Sequence, residues 1–208
     1  MRAFPSPGGE GEGGGPDSRA SYPLPAFRAG VKNMIDFSQD YFTLLGLPPR
    51  YRFDPDRLDL AYHALQREIH PDRYAAAGET ERRLALQSSA RVNEAYRALK
   101  DPVGRAQYLL SMRGIDALAE KDTELPGQFL ESELERREAV ADAHAGRDVA
   151  RLGALLEQVR SDAAALEGSL ADQLDAEAWE DARSAVRELR FLSKVAGDIE
   201  AALAEVEG

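Results

Sequence analysis

Cysteine is absent from the 208-residue chain. That excludes a disulfide framework, a zinc–thiolate centre and a cysteine nucleophile, and it fits a reducing cytoplasm. Histidine is scarce: only His63, His70 and His144 occur. His63 and His70 stand seven residues apart, two helical turns, and His144 is remote, so no metal site is expected. No apolar run approaches the roughly 18 residues of a membrane span, and the N-terminus lacks a signal peptide's apolar core. There is no P-loop, no dinucleotide glycine motif after a strand and no nucleophile–base order, so no catalytic residue and no cofactor is expected. Alternating β-branched segments are missing as well, which leaves helices as the only regular element.

What is present is acidity, unevenly spread. Residues 37–113 carry twelve Lys/Arg against ten Asp/Glu, whereas residues 114–208 carry ten against twenty-three, a local charge of −13. A nucleic-acid partner needs a clustered basic face, and the last part has the wrong sign. Residues 1–36 read as a tail, because the run Gly8–Pro16 has no apolar periodicity to offset the entropy of ordering.

From Phe37 onward the punctuation is helical. Ser38 is placed to cap a short helix carrying Tyr41, Phe42, Leu44 and Leu45, which Gly46 ends. Asp54–Pro55 starts a second helix with Leu58, Ala61, Tyr62, Leu65 and Ile69 on one stripe, and Pro71 stops it. A third spans about 81–100 with Leu84, Ser88, Val92, Ala95, Tyr96 and Leu99 on its stripe, and Asp101–Pro102 starts a fourth that runs to Gly114. The short loop between the two long helices makes them antiparallel neighbours. Residues 115–125 read as a linker. Residues 126–208 read as a three-helix bundle: one helix over about 128–145, a second capped by Asp148, a third capped by Asp175. Trp179 is expected in its core. The expectation is an all-α, two-module chain.

His70–Pro71–Asp72 lies between the two long helices. The bare tripeptide says little. Tyr41–Phe42–x–x–Leu45–Gly46–Leu47 upstream, with Asn93–Glu94–Ala95–Tyr96 and Asp101–Pro102 downstream, makes a specific combination that resembles the J-domain. Further on, Arg105–Ala106–x–Tyr108–Leu109–Leu110, Leu134–Glu135–x–Arg137–Glu138, Glu177–Ala178–Trp179 and Leu189–Arg190–Phe191–Leu192 are similar to the HscB family of J-type co-chaperones, over about residues 37–205.

The resemblance implies that the J-domain meets an HscA/DnaK-class chaperone and stimulates its ATPase. It implies that the C-terminal bundle binds an IscU-type iron–sulfur scaffold. The expected chaperone-binding residues are His70, Pro71 and Asp72, with Arg57, Arg67 and Arg73 as the basic face around them. Pro71 stiffens the turn, and Asp72 offers a carboxylate to a partner arginine. Asp56, Asp59 and Glu68 dilute that face. The expected scaffold-binding residues are Leu130, Leu134, Glu135, Glu138 and Phe191. Leu130, Leu134 and Glu138 recur at helical spacing, as either a rimmed apolar patch or ordinary core would. Glu131 departs from the family, where an apolar residue is expected. Two other readings stand beside this one: a J-domain protein whose bundle serves another client or self-associates, and a helical adaptor in which the tripeptide is incidental.

Overall fold

The computed structural model describes residues 35–119 and 125–208. Among the described residues every regular element is helical. The Gly/Pro-rich run at the N-terminus lies outside them, as do residues 120–124. Ile35, expected in the tail, is instead buried in the first core.

Four short-range signals set the helix starts. Helix α1 (Tyr41–Leu44) is capped by Asp40, not Ser38: Asp40 Oδ1 accepts from the Thr43 amide at 2.9 Å, while the Ser38 hydroxyl donates to Asp36. The cap accepts from N3, and only Asp40 stands at that distance. Gly46 follows with φ +63°, a left-handed exit that glycine takes without cost. Helix α2 (Pro55–Ile69) has Asp54 as cap and proline in its first turn. Helix α3 (Glu79–Lys100) is followed directly by α4 (Pro102–Ser111), whose cap Asp101 accepts from the Gly104 amide at 2.6 Å. Helix α5 (Gly127–Ala145) leads to α6 (Val149–Asp175), capped by Asp148. Asp175 does not cap the next helix. It is the last residue of α6, and α7 (Trp179–Glu207) starts from Ala178 without a side-chain cap. The turn between them is made by Glu177 at φ +57°.

Three cores follow. In the first, Phe42, Leu45, Leu58, Leu65, Ile69, Val92 and Leu99 pack α1, α2 and α3 together. Each such fully buried side chain contributes about 1.5–3 kcal/mol. The third core holds Leu152, Val159, Leu192, Val195 and Ile199, the seam of α6 and α7. The second joins the modules: Tyr51, Val103, Ala106 and Leu110 from the first module meet Leu170, Ala171, Ala182, Val186 and Leu189 from the second. Ala117 is fully buried there, so this part of the expected linker is a packed piece of the junction. Arg52 spans the same junction, donating to Asp172 Oδ1 at 2.8 Å and to the Gly168 carbonyl at 3.0 Å. These groups are exposed, so apolar burial rather than the ion pair holds the modules together. No helix of the described residues is long and apolar enough to cross a membrane.

Candidate functional site

The hairpin of α2 and α3 positions the first surface. Tyr62 and Tyr96 stack at 4.0 Å between ring centres, and Asn93 Oδ1 accepts from both Tyr62 Oη at 2.9 Å and Gln66 Nε2 at 2.7 Å. These bonds lock the two helices in one register. Asn93, read in the sequence as part of a motif, and Tyr96, read as part of that motif and of the helix stripe, are therefore cross-links of the hairpin. Tyr96 Oη also donates to Asp59 Oδ1 at 2.8 Å, and Lys100 reaches the same carboxylate at 3.2 Å. The Tyr96 bond, then the Lys100 bond, hold the Asp59 carboxyl below its usual range. Asp59 is thus engaged with α3, and dilutes the basic face of α2 less than its position in the sequence suggests.

At the tip, Pro71 cannot continue α2, and residues Pro71–Tyr74 form one turn of 3₁₀ helix. His70 Nδ1 accepts from the Asp72 amide at 3.3 Å, which leaves Nε2 as the donor pointing away from the turn. The last carbonyls of α2 are taken up from beyond the proline: Arg73 Nη1 donates to the Arg67 oxygen at 2.8 Å, and Tyr74 Oη to that of Glu68 at 3.3 Å. The turn is closed on itself, yet its polar groups face outward. The His70 side chain is 53% exposed and that of Asp72 91%. Arg67 and Arg73 are exposed, and Arg57 is half-buried. Leu60, which sequence reasoning missed, lies 65% exposed on the α2 face at helical spacing between Arg57 and Arg67. Its signal was available: an apolar residue off the buried stripe.

The second surface is on α5. Its inward positions are unusual, since its buried residues are Glu133 and Ala143. Arg136 bonds Glu133 Oε1 at 2.6 Å and also bonds the half-exposed Asp162 of α6, so a largely buried ion pair sits beside the apolar contacts that Phe129, Val140 and Ala143 make with the third core. Burial pushes the Glu133 carboxyl above its usual range, against the pull of Arg136. With Glu133 inward, Leu130 and Leu134 face outward, 47% and 61% exposed. They are surface, not bundle core. Glu135 and Glu138 are exposed beside them. Phe191, from α7, is half-buried and meets α5 edge-to-face through Phe129 at 5.6 Å, with the Arg137 guanidinium over its ring at 4.9 Å. Phe191 thus belongs both to the third core and to the rim of the α5 surface. Trp179 packs against the second core, with Arg113 over its ring at 5.0 Å.

Comparison with known proteins agrees with this geometry. Residues 40–108 match the family model of the DnaJ domain, and residues 125–200 that of the HSCB C-terminal oligomerisation domain. A co-chaperone protein HscB homolog of Burkholderia multivorans is 42% identical over 174 residues, covering 84% of this chain and 99% of that protein. The solved chaperone HscB from Vibrio cholerae matches with a TM-score of 0.73 at 34% identity, over 81% of this chain and 99% of that one. The human co-chaperone protein HscB matches with a TM-score of 0.74 at 26% identity, over 93% of this chain and 94% of its own. An exposed His-Pro-Asp turn on a cross-linked hairpin, joined through a shared core to a bundle with an outward leucine pair, is carried by a chain that belongs to the HscB co-chaperone family.

Proposed function

We propose that this chain is a non-catalytic, cytoplasmic co-chaperone that binds an IscU-type scaffold and delivers it to an HscA/DnaK-class chaperone, whose ATPase it stimulates in iron–sulfur cluster assembly. The observation that carries the reading is the outward Asp72 on a turn whose backbone is already satisfied. Such a carboxylate is free to take a partner arginine in a charge-assisted bond, with little conformational entropy left to lose. Binding there stimulates hydrolysis only by favouring the chaperone conformation that hydrolyses ATP. Leu130 and Leu134, rimmed by Glu135 and Glu138, supply the client face, since exposed leucines with a polar rim fit a protein partner. The shared core fixes the angle between the two surfaces, so a bound client arrives at the chaperone in one orientation.

The test is chaperone ATP turnover with scaffold and this protein added separately and together. The reading requires stimulation by the protein alone, and more with the scaffold present. A scaffold that neither binds nor adds to the stimulation would leave the J-domain role standing and remove the client assignment. The match of residues 125–200 to an oligomerisation domain supports a second use of the bundle, self-association, which sedimentation over a concentration series detects.

A further inference from the structure

Residues 114–208 carry ten Lys/Arg in all, and four of them, Arg183, Arg187, Arg190 and Lys194, recur at spacings of four, three and four. That spacing places them on one face of α7. Other cations of the bundle are spent on neighbours: Arg136 on Glu133 and Asp162, Arg160 on Glu157 and Glu200. Arg183 pairs with Glu180, and Arg187 Nε donates to the Ala117 carbonyl at 3.1 Å. Arg190 and Lys194 are exposed and make no ion pair among the described residues. Beside them lies a groove of about 220 Å³, with Leu118, Leu125 and Phe191 as its apolar lining and Arg187, Arg190 and Lys194 as its basic one. A basic groove on a domain of charge −13 is a local inversion of sign. Phe191 also borders the α5 surface, so the groove continues that face around α7.

We infer that this groove is a second arm of the client surface and takes an acidic segment of the partner with an apolar residue at its centre. The inference rests on the reading of α5 as the client face. The apolar side chain fills the space between Leu118, Leu125 and Phe191, and carboxylates on either side meet Arg190 and Lys194. The net negative charge of the bundle disfavours an acidic ligand over most of its remaining surface, and Arg137, over the Phe191 ring, adds a further cation at the groove's edge, which makes the groove a register-setting contact.

The experiment uses the full chain and two probes. The first is a short peptide of glutamates flanking a leucine pair, with its glutamine counterpart as control, followed by NMR at Arg190, Phe191 and Lys194. The glutamate peptide shifts these signals, the glutamine peptide does not, and added salt weakens the effect. The second probe is an IscU-type scaffold. Arg190→Glu with Lys194→Glu weakens its binding by roughly tenfold and reduces its salt dependence. Both residues are exposed, and an unchanged melting curve confirms that the double variant folds. Glutamate-peptide signals that do not move, or that move equally with glutamine, overturn the proposal. So does scaffold binding that is strong in the wild type and unchanged in the double variant. Peptide binding that emerges only after Glu120→Gln, Asp122→Asn and Glu124→Gln assigns the groove to the chain's own link instead, and a dimer abolished by the double variant assigns it to a second copy. If the scaffold fails to bind the wild type at all, the client reading falls, and the peptide arm alone decides the groove.

Discussion

Arg73 donates from Nη1 to the carbonyl oxygen of Arg67 at 2.8 Å, so a cation beyond the proline closes the helix that precedes it. In the sequence both residues read as a basic face for a partner. In the fold, one of them also shapes the turn proposed to meet that partner. Arg73→Ala removes this bond and costs about 1 kcal/mol of stability, read from denaturant unfolding. It also lowers ATPase stimulation, because His70 and Asp72 are then held less firmly. Arg67→Ala keeps the carbonyl and the bond, so its effect falls on chaperone affinity and not on stability.

Glu133 gives the fold an unusual pH response. Burial raises its folded-state pKa above the ordinary value of 4.5. The folded state therefore holds this proton more tightly than the unfolded chain, and its contribution to stability declines as pH rises from 4.5 through the raised value. Carboxyls held low, such as Asp59 and Glu94, work in the opposite sense. The difference between wild type and Glu133→Gln isolates the one group. Urea unfolding across mildly acidic pH shows wild type losing stability relative to the variant as pH rises. A constant difference contradicts the raised pKa of Glu133.

The two leucine populations of the bundle separate in the same way. Leu152 is fully buried, and Leu152→Ala costs about 2–5 kcal/mol. Leu134 is 61% exposed, and Leu134→Ala stays within about 0.5 kcal/mol of wild type in thermal unfolding. Scaffold affinity reverses the ranking: a folded Leu152→Ala binds as wild type does, whereas Leu134→Ala with Phe191→Ala weakens binding by a few kcal/mol if the pair anchors the interface.

Much of this was legible in the sequence, and the exceptions have physical causes. Asp54, Asp101 and Asp148 cap as their spacing to the following turns requires. Asp40 and Ser38 compete for one short helix, and only geometry decides between two good cap residues. The α6–α7 turn was misread because Glu177 adopts a left-handed conformation with no glycine to announce it. Leu130 and Leu134 fit core and surface equally well on periodicity. The decisive residue was Glu133, a carboxylate that turns inward where Arg136 meets it, and Arg136 is itself held from the next helix by Asp162. Ala117 looked like linker because a single small residue completes the shared core without a stripe of its own.

The most direct measurement is steady-state ATP turnover of an HscA/DnaK-class chaperone with the wild-type protein and with His70→Gln. The glutamine keeps an acceptor for the Asp72 amide and an amide donor, but loses the imidazole ring and the fixed direction of its Nε2. Stimulation should vanish in the variant while its unfolding curve overlays that of the wild type. Equal stimulation by the two proteins would contradict the assignment of the His70–Pro71–Asp72 turn as the chaperone-binding element.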